Sequence, residues 1–561
     1  MFNKKTRVGA LLLALIMVMT FAFTGCGTKK DAVKTKDNLN PLGEMPFSKD
    51  KVTLEFMMAT SGNVEDYDTN KYTLELEKAG NVDIKFNLLS PADSGTVINL
   101  TLSSGKDLPD VINAVLSDDS VATYGGAGVI IPLNNYYENS SYYLKPQLEA
   151  YEKETGIDLL KYITMSDGNI YGVIKYNESL QNEVPCPLWI NKAWLAKAGM
   201  EVPTTMDEFT AALRYFKTHD MNGNGKMDEI PLVDYAEGRV LETLENAFVK
   251  TGVDSISIAA DGSLEMAYAT EGYKEFLKYM NVLYKEGLLD PVTFSQDDAT
   301  RKTLLNGETT RVGVFGHTST SVLTAGSARR ENHEYAPMFL DNPAKPGYTT
   351  FRYMKTMPSQ AMFITKDCEY PETAFRIADY MCSEKMTVWS RWGEEGTDWI
   401  RLDESTPGMY DFIGAPSYLE PVLQWGSKQN AHWYNGTPGF RRANVALGMS
   451  SSDTSQESKA FALEDLHNRY SGANWKEDKS QIFYNKVAPE RVYKLVYTED
   501  ELSERSDIIN VIDPYVKQMR YDFITGKVNI DSGWDAYIKE LKGMNIDSLV
   551  EINNAAYDRM K

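Results

Sequence analysis

The segment Trp189–Leu232 restricts the fold of this chain more than any other segment. It contains two helical patterns, and it also contains the residues that start and end those helices. It reads WINKAWLAKAGMEVPTTMDEFTAALRYFKTHDMNGNGKMDEIPL. Gly199 can take the left-handed conformation that closes the first helix, and Pro203 prevents its continuation. Thr205 and Glu208 have the spacing of a capping box. The sequence therefore predicts two helices in succession, the second of them amphipathic.

The second helix leads into a loop with the spacing of a calcium site, residues 220–229. Oxygen-bearing side chains occupy the first, third, fifth and ninth positions, and Gly225 permits the sharp turn at the sixth. The twelfth position is Pro231, so the bidentate carboxylate of a standard EF-hand is missing, and Glu229 is the available substitute. The predicted Ca²⁺ ligands are Asp220, Asn222, Asn224, the carbonyl of Lys226, Asp228 and Glu229. The alternative is an Asx-rich turn that holds no ion.

The combination of these helices and this loop resembles family 1 extracellular solute-binding proteins, in particular the large lipoproteins that serve carbohydrate ABC importers. Members carry a similar N-K-x-W-L-x-K-x-G-x-x-x-P-T-T-x-D-E-F segment followed by D-x-N-x-N-G-x-x-D-E-I-P. The segment Ser104–Ile112 and the D-G-N-I-Y-G run at 167–172 also match, and the resemblance covers most of residues 50–400. It implies an α/β fold of two lobes, of the type II periplasmic-binding-protein kind, joined by hinge segments and extended by C-terminal helices.

The N-terminus has the pattern of an export signal. Lys4, Lys5 and Arg7 precede the apolar run Val8–Phe23, which is short for a transmembrane anchor. The following residues resemble a lipobox, in which cleavage after residue 25 leaves Cys26 as a lipidated N-terminus. We therefore expect residues 1–25 to be a signal peptide and the protein to be lipid-anchored on the extracytoplasmic face of the cell membrane.

The remaining chain divides into a tether and two lobes. Residues 26–51 are polar and are predicted to be a flexible tether. Helices that alternate with strands indicate α/β layers. The expected N-terminal lobe comprises 52–174 and 316–368, and the expected C-terminal lobe comprises 175–315 and 369–561 with the calcium loop.

Charge and cysteine content exclude some classes of protein. The net charge of −21 over 561 residues argues against nucleic acid as a partner. The four cysteines include no C-x-x-C, which disfavours a zinc ribbon or a thioredoxin-like site. Cys368 and Cys382 flank a predicted helix that would hold them apart, so we expect free thiols.

Two loop-like segments, 389–399 and 430–442, combine aromatic rings with carboxylates and arginines. Sugar sites need flat rings and planar hydrogen-bonding groups, although rings of this kind also fill protein cores. Two further residues directly follow strands of the first lobe, where the carboxyl ends of strands face the crevice. The predicted ligand contacts are Ser61, Asn113, Trp392, Glu395, Asp398, Trp399, Trp433 and Arg441.

The resemblance implies a monomeric substrate-binding lipoprotein that captures an oligosaccharide by hinge closure and delivers it to ABC permease subunits. Acidic sugars are among the expected ligands, because similar proteins with this calcium loop bind uronate oligomers. The chain has no H-E-x-x-H, G-x-S-x-G or Walker motif, and we predict that it is not an enzyme. A lipid-anchored glycoside hydrolase or lyase remains the alternative, since paired carboxylates are brought together in space rather than in sequence. A sugar sensor or adhesion lipoprotein without a permease is a third possibility.

Overall fold

The computed structural model describes residues 35–560 with gaps. The gaps are residues 180–187, 236–237, 239, 318–321, 325–326, 333, 352–355, 404, 407, 411–414, 424–426, 435–437, 449 and 451–490. The predicted signal peptide, Cys26 and Cys186 lie outside the described residues, as does most of the predicted tether before residue 37.

The strands of the described chain form two main sheets and two short two-stranded sheets. In chain order they are β1 Val52–Ala59, β2 Val82–Leu89, β3 Val111–Ile112, β4 Gly172–Asn177, β5 Leu188–Asn191, β6 Ile230–Val233, β7 Ile256–Ile258, β8 Leu264–Met266, β9 Val312–Gly316, β10 Tyr335–Met338, β11 Ser359–Ile364, β12 Trp399–Arg401, β13 Leu419–Pro421 and β14 Gly439–Arg441.

The first sheet has six strands in the order β14-β4-β11-β3-β1-β2. Only β11 runs against the others, so β1, β2, β3, β4 and β14 all end at one edge. In β1, the inward positions are buried, and Leu54 and Phe56 are fully covered. Because the strands end together, the residues that follow them lie along one row.

The second sheet has four strands in the order β10-β5-β9-β6, and β5 runs against the other three. The chain passes from the carboxyl end of β4 to the start of β5, and from the carboxyl end of β10 to the start of β11. Both connections therefore join the edge where most strands of one sheet end to the corresponding edge of the other. These two edges face the space between the lobes, where α/β proteins hold their ligands.

The helices cover the sheets, and the last three form a separate layer. They are α1 Lys71–Gly80, α2 Ser94–Ser104, α3 Asp118–Gly126, α4 Asn134–Asn139, α5 Leu144–Thr155, α6 Lys192–Ala198, α7 Met206–Thr218, α8 Val240–Glu245, α9 Glu271–Lys285, α10 Asp298–Leu305, α11 Ala328–Glu331, α12 Pro371–Met381, α13 Glu384–Trp392, α14 Ala443–Leu447, α15 Glu499–Thr525, α16 Ile530–Gly543 and α17 Ile546–Met560. None of the described helices is both long and apolar enough to cross a membrane.

The local signals in Trp189–Leu232 act as the sequence predicts. The helix α6 ends at Gly199, which has a φ of 69°. The helix α7 begins with a capping box in which Thr205 accepts the Glu208 amide and Glu208 reaches back to the Thr205 amide. The apolar face of α7 is buried in the core of the second lobe, which also takes the inner faces of α9, α15 and α16. Cys368 and Cys382 are free and buried, as predicted.

The predicted lobe ranges and the predicted end of the tether differ from the structure. Strand β10, expected in the N-terminal lobe with 316–368, belongs to the second sheet, and β14, expected in the C-terminal lobe with 369–561, belongs to the first. The helix α12 was assigned to the C-terminal lobe with residues 369–561, but Phe375 stacks on Tyr136 and the helix packs against the first sheet. An amphipathic helix has an apolar face that suits either lobe, so sequence pattern does not choose between them. Likewise the tether ends earlier than residue 51, because the Asp37 carboxylate accepts the amides of Glu372 and Thr373.

The end of the predicted tether is in fact part of the first lobe. Phe47 is 3% exposed and lies edge-on to Tyr380 at 5.9 Å. The Arg376 guanidinium donates to the carbonyl of Asn40 at 2.8 Å. These contacts fix residues 37–48 on α12, even though their composition is polar. Composition alone misses them because their partners lie more than three hundred residues away.

Candidate ligand and metal sites

The polar residues that end the strands of the first sheet form a row along its carboxyl edge. Ser61 follows β1, Asn113 follows β3, and Asn177 and Arg441 are the last residues of β4 and β14. Three inter-strand spacings separate β14 from β3, which is about 14 Å at the usual 4.8 Å per strand. The row is therefore longer than one sugar ring and suits an extended ligand.

Ser61 and Asn113 are predicted ligand contacts that follow the neighbouring strands β1 and β3, so both lie at this edge. The Ser61 amide donates to the Tyr67 hydroxyl at 2.9 Å, and the Ser61 hydroxyl oxygen accepts the Asn63 amide at 3.3 Å. Asn113 is 3% exposed, and its Oδ1 has no hydrogen-bond partner. A buried amide oxygen without a donor costs about 1–3 kcal/mol, so Asn113 is ready to accept a hydroxyl.

A pocket of about 80 Å³ opens at the ends of β4 and β14, beneath helix α13. We call it the basic pocket. Its lining includes three cationic side chains and several hydrogen-bonding groups: Lys175, Tyr176, Asn177, Thr387, Ser390, Arg391, Tyr434, Pro438, Gly439 and Arg441. The register explains the arrangement, because Lys175 pairs with Gly439 and Asn177 with Arg441, which places all four on one face of the sheet.

Arg441 is a predicted contact that the structure places in the basic pocket. It is 7% exposed, its Nε has no hydrogen-bond partner, and its Nη2 makes only long bonds of 3.5 and 3.4 Å to the carbonyls of Val445 and Ala446. Burial, and then the charge of Arg391, hold its pKa well below the usual range. The same two causes lower the pKa of Lys175.

His432 lies at the margin of this cationic cluster and is 3% exposed. Its Nδ1 accepts the amide of Tyr434 at 3.0 Å. Burial lowers the pKa of the imidazole to about 4, and the charge of Arg391 lowers it while that of Asp398 opposes the shift. The ring is therefore neutral at neutral pH, which spares the pocket a further positive charge.

The three tryptophans predicted as sugar platforms have no free face in this structure. Trp433 is fully buried in the core of the first lobe, where its Nε1 donates to the Thr73 hydroxyl at 2.8 Å. Trp392 and Trp399, each 3% exposed, share a small apolar cluster with Leu419. The Trp433 prediction is thus corrected to a core role: a ring packed against Phe56 and Tyr72 cannot also stack on a sugar.

The two predicted carboxylates have protein partners. Glu395 forms a bidentate pair with Arg401, at 2.8 and 3.0 Å, on the exposed surface. Asp398 accepts the amide of Glu394 at 2.9 Å and lies 3.5 Å from the Lys71 ammonium. Their position in the 394–401 turn is determined by these local bonds, and the structure does not place them in the basic pocket.

Sequence reasoning did not identify Lys175, Asn177 and Arg391 as site residues. A signal existed in β4, which reads GVIKYN, since a lysine interrupts an otherwise apolar strand two residues before its end. Residues on alternate strand positions share a face, so Lys175 and Asn177 point to the same side. Arg391 has no comparable signal, because only the packing of α13 brings it to this strand.

The calcium loop is organised by its own carboxylates. Asp220 accepts the amides of Gly223, Asn224 and Gly225 at 2.7, 3.2 and 2.8 Å. Gly223 and Gly225 both have positive φ, 74° and 77°, which a residue with a side chain rarely adopts. The loop is further fixed from outside by Lys197, which donates to the Asp220 carbonyl, and by Arg311, 3.1 Å from Asp228.

The donor set of this loop fits a calcium ion. Glu229 is 6% exposed, and its Oε2 has no hydrogen-bond partner while Oε1 accepts the Met221 amide. The side-chain nitrogens of Asn222 and Asn224 both donate to one oxygen of Asp228, at 3.1 Å each. Rotating these amides exchanges nitrogen for oxygen and presents further ligands. Within the described residues, no three His, Cys, Asp or Glu side chains already converge on one point.

The second sheet presents a different group at its edge. Asp234 follows β6, is fully buried, and accepts the Val240 amide at 2.7 Å, while its Oδ1 has no hydrogen-bond partner. Burial raises the pKa of this carboxyl to about 7, and backbone hydrogen bonds and the Arg301 charge oppose the rise. Near neutral pH it can therefore be protonated and donate a hydrogen bond.

Comparison with known proteins now identifies the family. Residues 61–388 match the family model of the bacterial extracellular solute-binding proteins. The chain belongs to this family. This solute-binding protein is 26% identical over 579 aligned residues to the fructooligosaccharide ABC transporter substrate-binding protein FusA of Streptococcus pneumoniae, covering 100% of this chain and 98% of FusA. It is also 26% identical to Lipoprotein LipO of Bacillus subtilis, over 43% of this chain and 45% of LipO.

Solved structures agree with the fold of this solute-binding protein. FusA in complex with kestose superposes with a TM-score of 0.70 and 24% identity, covering 91% of this chain and 99% of that one. An EF-hand mutant of FusA in complex with fructo-nystose superposes with a TM-score of 0.69, at 24% identity and the same coverage. The predicted type II fold with two lobes and added C-terminal helices is confirmed, as is the predicted family. FusA is named as a binding protein and the family as solute-binding proteins, which supports that class over a hydrolase or lyase.

Proposed function

We propose that this chain is the substrate-binding lipoprotein of an ABC importer and captures an oligosaccharide between its two lobes. The observation that carries the proposal is the match to FusA, which covers 100% of this chain and 98% of FusA. The name of FusA gives fructooligosaccharides as its substrate. The row of polar strand ends on the first sheet supports an extended ligand. The buried Oδ1 of Asn113 and the half-buried hydroxyl of Ser61 are suited to sugar hydroxyls.

The mechanism we infer is closure of the lobes on the ligand. A ligand that contacts the edges of both sheets stabilises the closed state by its higher affinity for that state. Asp234 follows β6 on the second sheet, and its buried Oδ1 without a described partner would take a hydrogen bond from a sugar hydroxyl on the opposite side. The protein then transfers the saccharide to permease subunits without breaking a bond, and it acts as a monomer.

We assign calcium a structural role in the loop 220–229. The residues that would hold it are Asp220, Asn222, Asn224, Lys226 through its carbonyl, Asp228 and Glu229. The bound ion would neutralise carboxylates that otherwise crowd one turn. The loop directly precedes the first residue of β6, whereas the cleft edge follows its last residue, Val233. A four-residue strand separates them by about 10 Å, so the ion would not touch the ligand.

Membrane attachment is also part of the proposal. Cleavage after residue 25 and lipidation of Cys26 would leave a tether of about ten residues before the first described contact of the lobe, at Asp37. Mass spectrometry of the membrane fraction tests this step, with Cys26→Ala as the control. Lipid anchoring is contradicted if the wild-type protein carries no added lipid mass, or if the Cys26→Ala variant still remains in the membrane fraction.

Calorimetry and product analysis together test the function. A panel of fructooligosaccharides, milk-type oligosaccharides and oligogalacturonides is titrated into the purified protein, and each mixture is then incubated and analysed by chromatography. The proposal expects saturable binding of at least one oligosaccharide class and full recovery of the ligand. Shortened products would favour a glycoside hydrolase or lyase, and failure to bind any oligosaccharide would remove the proposed substrate class.

A further inference from the structure

We propose that the basic pocket binds a carboxylate group carried by the captured saccharide, which makes the ligand an acidic oligosaccharide. The inference rests on the proposed function and adds the charge of the substrate and the place where that charge is recognised. The residues that carry it are Lys175 and Arg441, with Asn177 and Arg391 beside them.

The first observation is that two cations of the pocket lack a carboxylate partner. Lys175 makes no side-chain hydrogen bond or ion pair in the described part of the chain, although it is largely covered. Arg441 is buried more deeply, and its hydrogen bonds within the described residues are the two long ones to backbone carbonyls. Removing a charge from water costs several kcal/mol unless a counter-charge compensates it, so a pocket of this kind is incomplete without an anion.

The acidic side chains around the pocket do not supply that anion. Glu178, one residue beyond the end of β4, is held by Arg442 at 2.9 Å and by the Ala443 amide at 2.7 Å. Asp398 accepts the Glu394 amide and lies near Lys71. The chain as a whole carries a net charge of −21, so a cationic cavity at the cleft edge is an exception to its surroundings. It provides local attraction for a ligand that the rest of the protein would repel.

The size of the pocket suits one small anionic group. Its volume of about 80 Å³ is several times the roughly 10–15 Å³ of cavity space that one water molecule requires, so a carboxylate fits. Gly439 lies between the two cations in the register and contributes no side chain, which leaves the space open up to Thr387. A guanidinium binds a carboxylate through two parallel hydrogen bonds, and the free Nε of Arg441 is one of the two donors required.

Asn177 links the anion to the rest of a sugar. Its Oδ1 is buried without a hydrogen-bond partner at the same strand end. An amide beside a guanidinium can accept a hydroxyl from the ring that bears the carboxylate. The remaining row toward Asn113 and Ser61 then runs along the edge of the sheet, in the direction that further sugar units would follow.

The competing explanation is that Arg441 only stabilises the short helix α14 by binding its last carbonyls. That role would make Arg441 important for folding, but it gives no function to Lys175, whose side chain makes no hydrogen bond to the described residues of α14. The two residues therefore separate the explanations, because only the anion pocket requires both charges.

The test uses two pairs of saccharides that differ in charge: trigalacturonate with its methyl ester, and sialyllactose with its methyl ester. Calorimetry measures each ligand on the full mature protein and on the variants Lys175→Gln and Arg441→Gln. Lys85→Gln serves as the control, since Lys85 is an exposed strand lysine paired with Asp83 on β2. Thermal melting verifies that each variant is folded. If Arg441→Gln does not fold, the result for Lys175→Gln alone decides the test.

The proposal expects the acid of at least one pair to bind ten times more tightly than its neutral counterpart. Lys175→Gln and Arg441→Gln should each weaken the acid at least tenfold and leave the neutral saccharide within twofold, and Lys85→Gln should change neither. Equal binding of acid and neutral forms, binding of neutral saccharides alone, or an acid preference that survives Lys175→Gln would overturn it. Failure of every saccharide in both this test and the panel would instead refute the proposed function.

Discussion

The calcium loop and the basic pocket are two charged regions that satisfy their charges in opposite ways. In the loop, the Asp220 carboxylate accepts three amides from within the next five residues, so its partners are encoded within one turn. In the basic pocket, Lys175, Arg391 and Arg441 come from three separate elements, and the described chain provides Lys175 with no counter-charge. The carboxylate of Asp220 is therefore satisfied by the loop itself, whereas Lys175 and Arg441 of the basic pocket have no counter-charge in the part of the chain that the structure describes until a ligand binds.

This difference indicates where each kind of site can be found. A structural ion site depends on local spacing, so it can be read from a short stretch of sequence. A ligand site of this kind is assembled from strand ends and a covering helix. It is recognised by buried polar or charged groups that have no hydrogen-bond partner or counter-charge in the protein. The following experiments test whether the two regions differ in this way.

The largest expected effect is that of Asp220→Ala. With calcium at one hundred times its dissociation constant, the variant should lose about 4 kcal/mol of unfolding free energy. About 2.7 kcal/mol of this is lost ion binding and about 1 kcal/mol is the loss of the amide acceptor. Urea unfolding with calcium and with chelator measures both parts.

Asp261→Ala is the matched control for that experiment, because Asp261 also organises a turn, through Ser263, outside the calcium loop. It should lower stability equally with and without calcium. If chelator does not change the stability of the wild-type protein, the loop is an ion-free turn. The contrast between an ion site and a ligand pocket would then no longer hold.

The next effect concerns pH. The folded pKa of His432 is about 4 against 6.5 for a free imidazole, so between these values the unfolded chain takes up a proton that the folded chain does not. His432 should therefore lower stability by about 3 kcal/mol as pH falls from 6.5 to 4. His432→Asn keeps an acceptor for the Tyr434 amide and should flatten this slope in unfolding curves. If the dependence of stability on pH is unchanged in this variant, the pH sensitivity comes from other groups than His432.

Lys175→Met should make the unliganded protein more stable by about 1 kcal/mol, since it replaces a covered charge that has no partner by an apolar side chain of similar length. Chemical unfolding in the absence of saccharide is the measurement. Lys85→Met, on the exposed side of β2, should give no such gain. A destabilised Lys175→Met protein would mean that the lysine already has a stabilising contact, and the basic pocket would then resemble the calcium loop.

The smallest effect should follow from Glu395→Gln. The structure pairs Glu395 with Arg401 on the surface, and exposed pairs contribute about 0–1 kcal/mol. We expect stability to change by less than about 0.5 kcal/mol and saccharide affinity to stay within twofold, by calorimetry. A tenfold loss of affinity would restore Glu395 as a ligand contact and weaken the distinction between this segment and the pocket.

The parts of the fold that could be predicted are those whose signals are local. The capping box at Thr205 and the stop at Gly199 are each encoded within a few residues. The strands β1 and β2 follow from their alternation. Ser61, Asn113 and Arg441 were reachable because they end predicted strands or stand in a polar segment beside one.

The parts that could not be predicted depend on contacts between distant residues. Trp433 has the composition of a sugar platform, but Thr73 and the aromatic core around it fix the ring inside the lobe. The helix α12 has a face that fits either lobe, and Asp37 has its partners on that helix. Lys175 was missed because a single strand does not show which charges its neighbours bring.

A crystal structure of the mature protein with calcium and trigalacturonate tests the account most directly. It should contain an intact trisaccharide between the two sheet edges, with one carboxylate within about 3 Å of the Arg441 guanidinium and the Lys175 ammonium. A saccharide bound with both of these cations facing water, or a cleaved saccharide in the cleft, would contradict it.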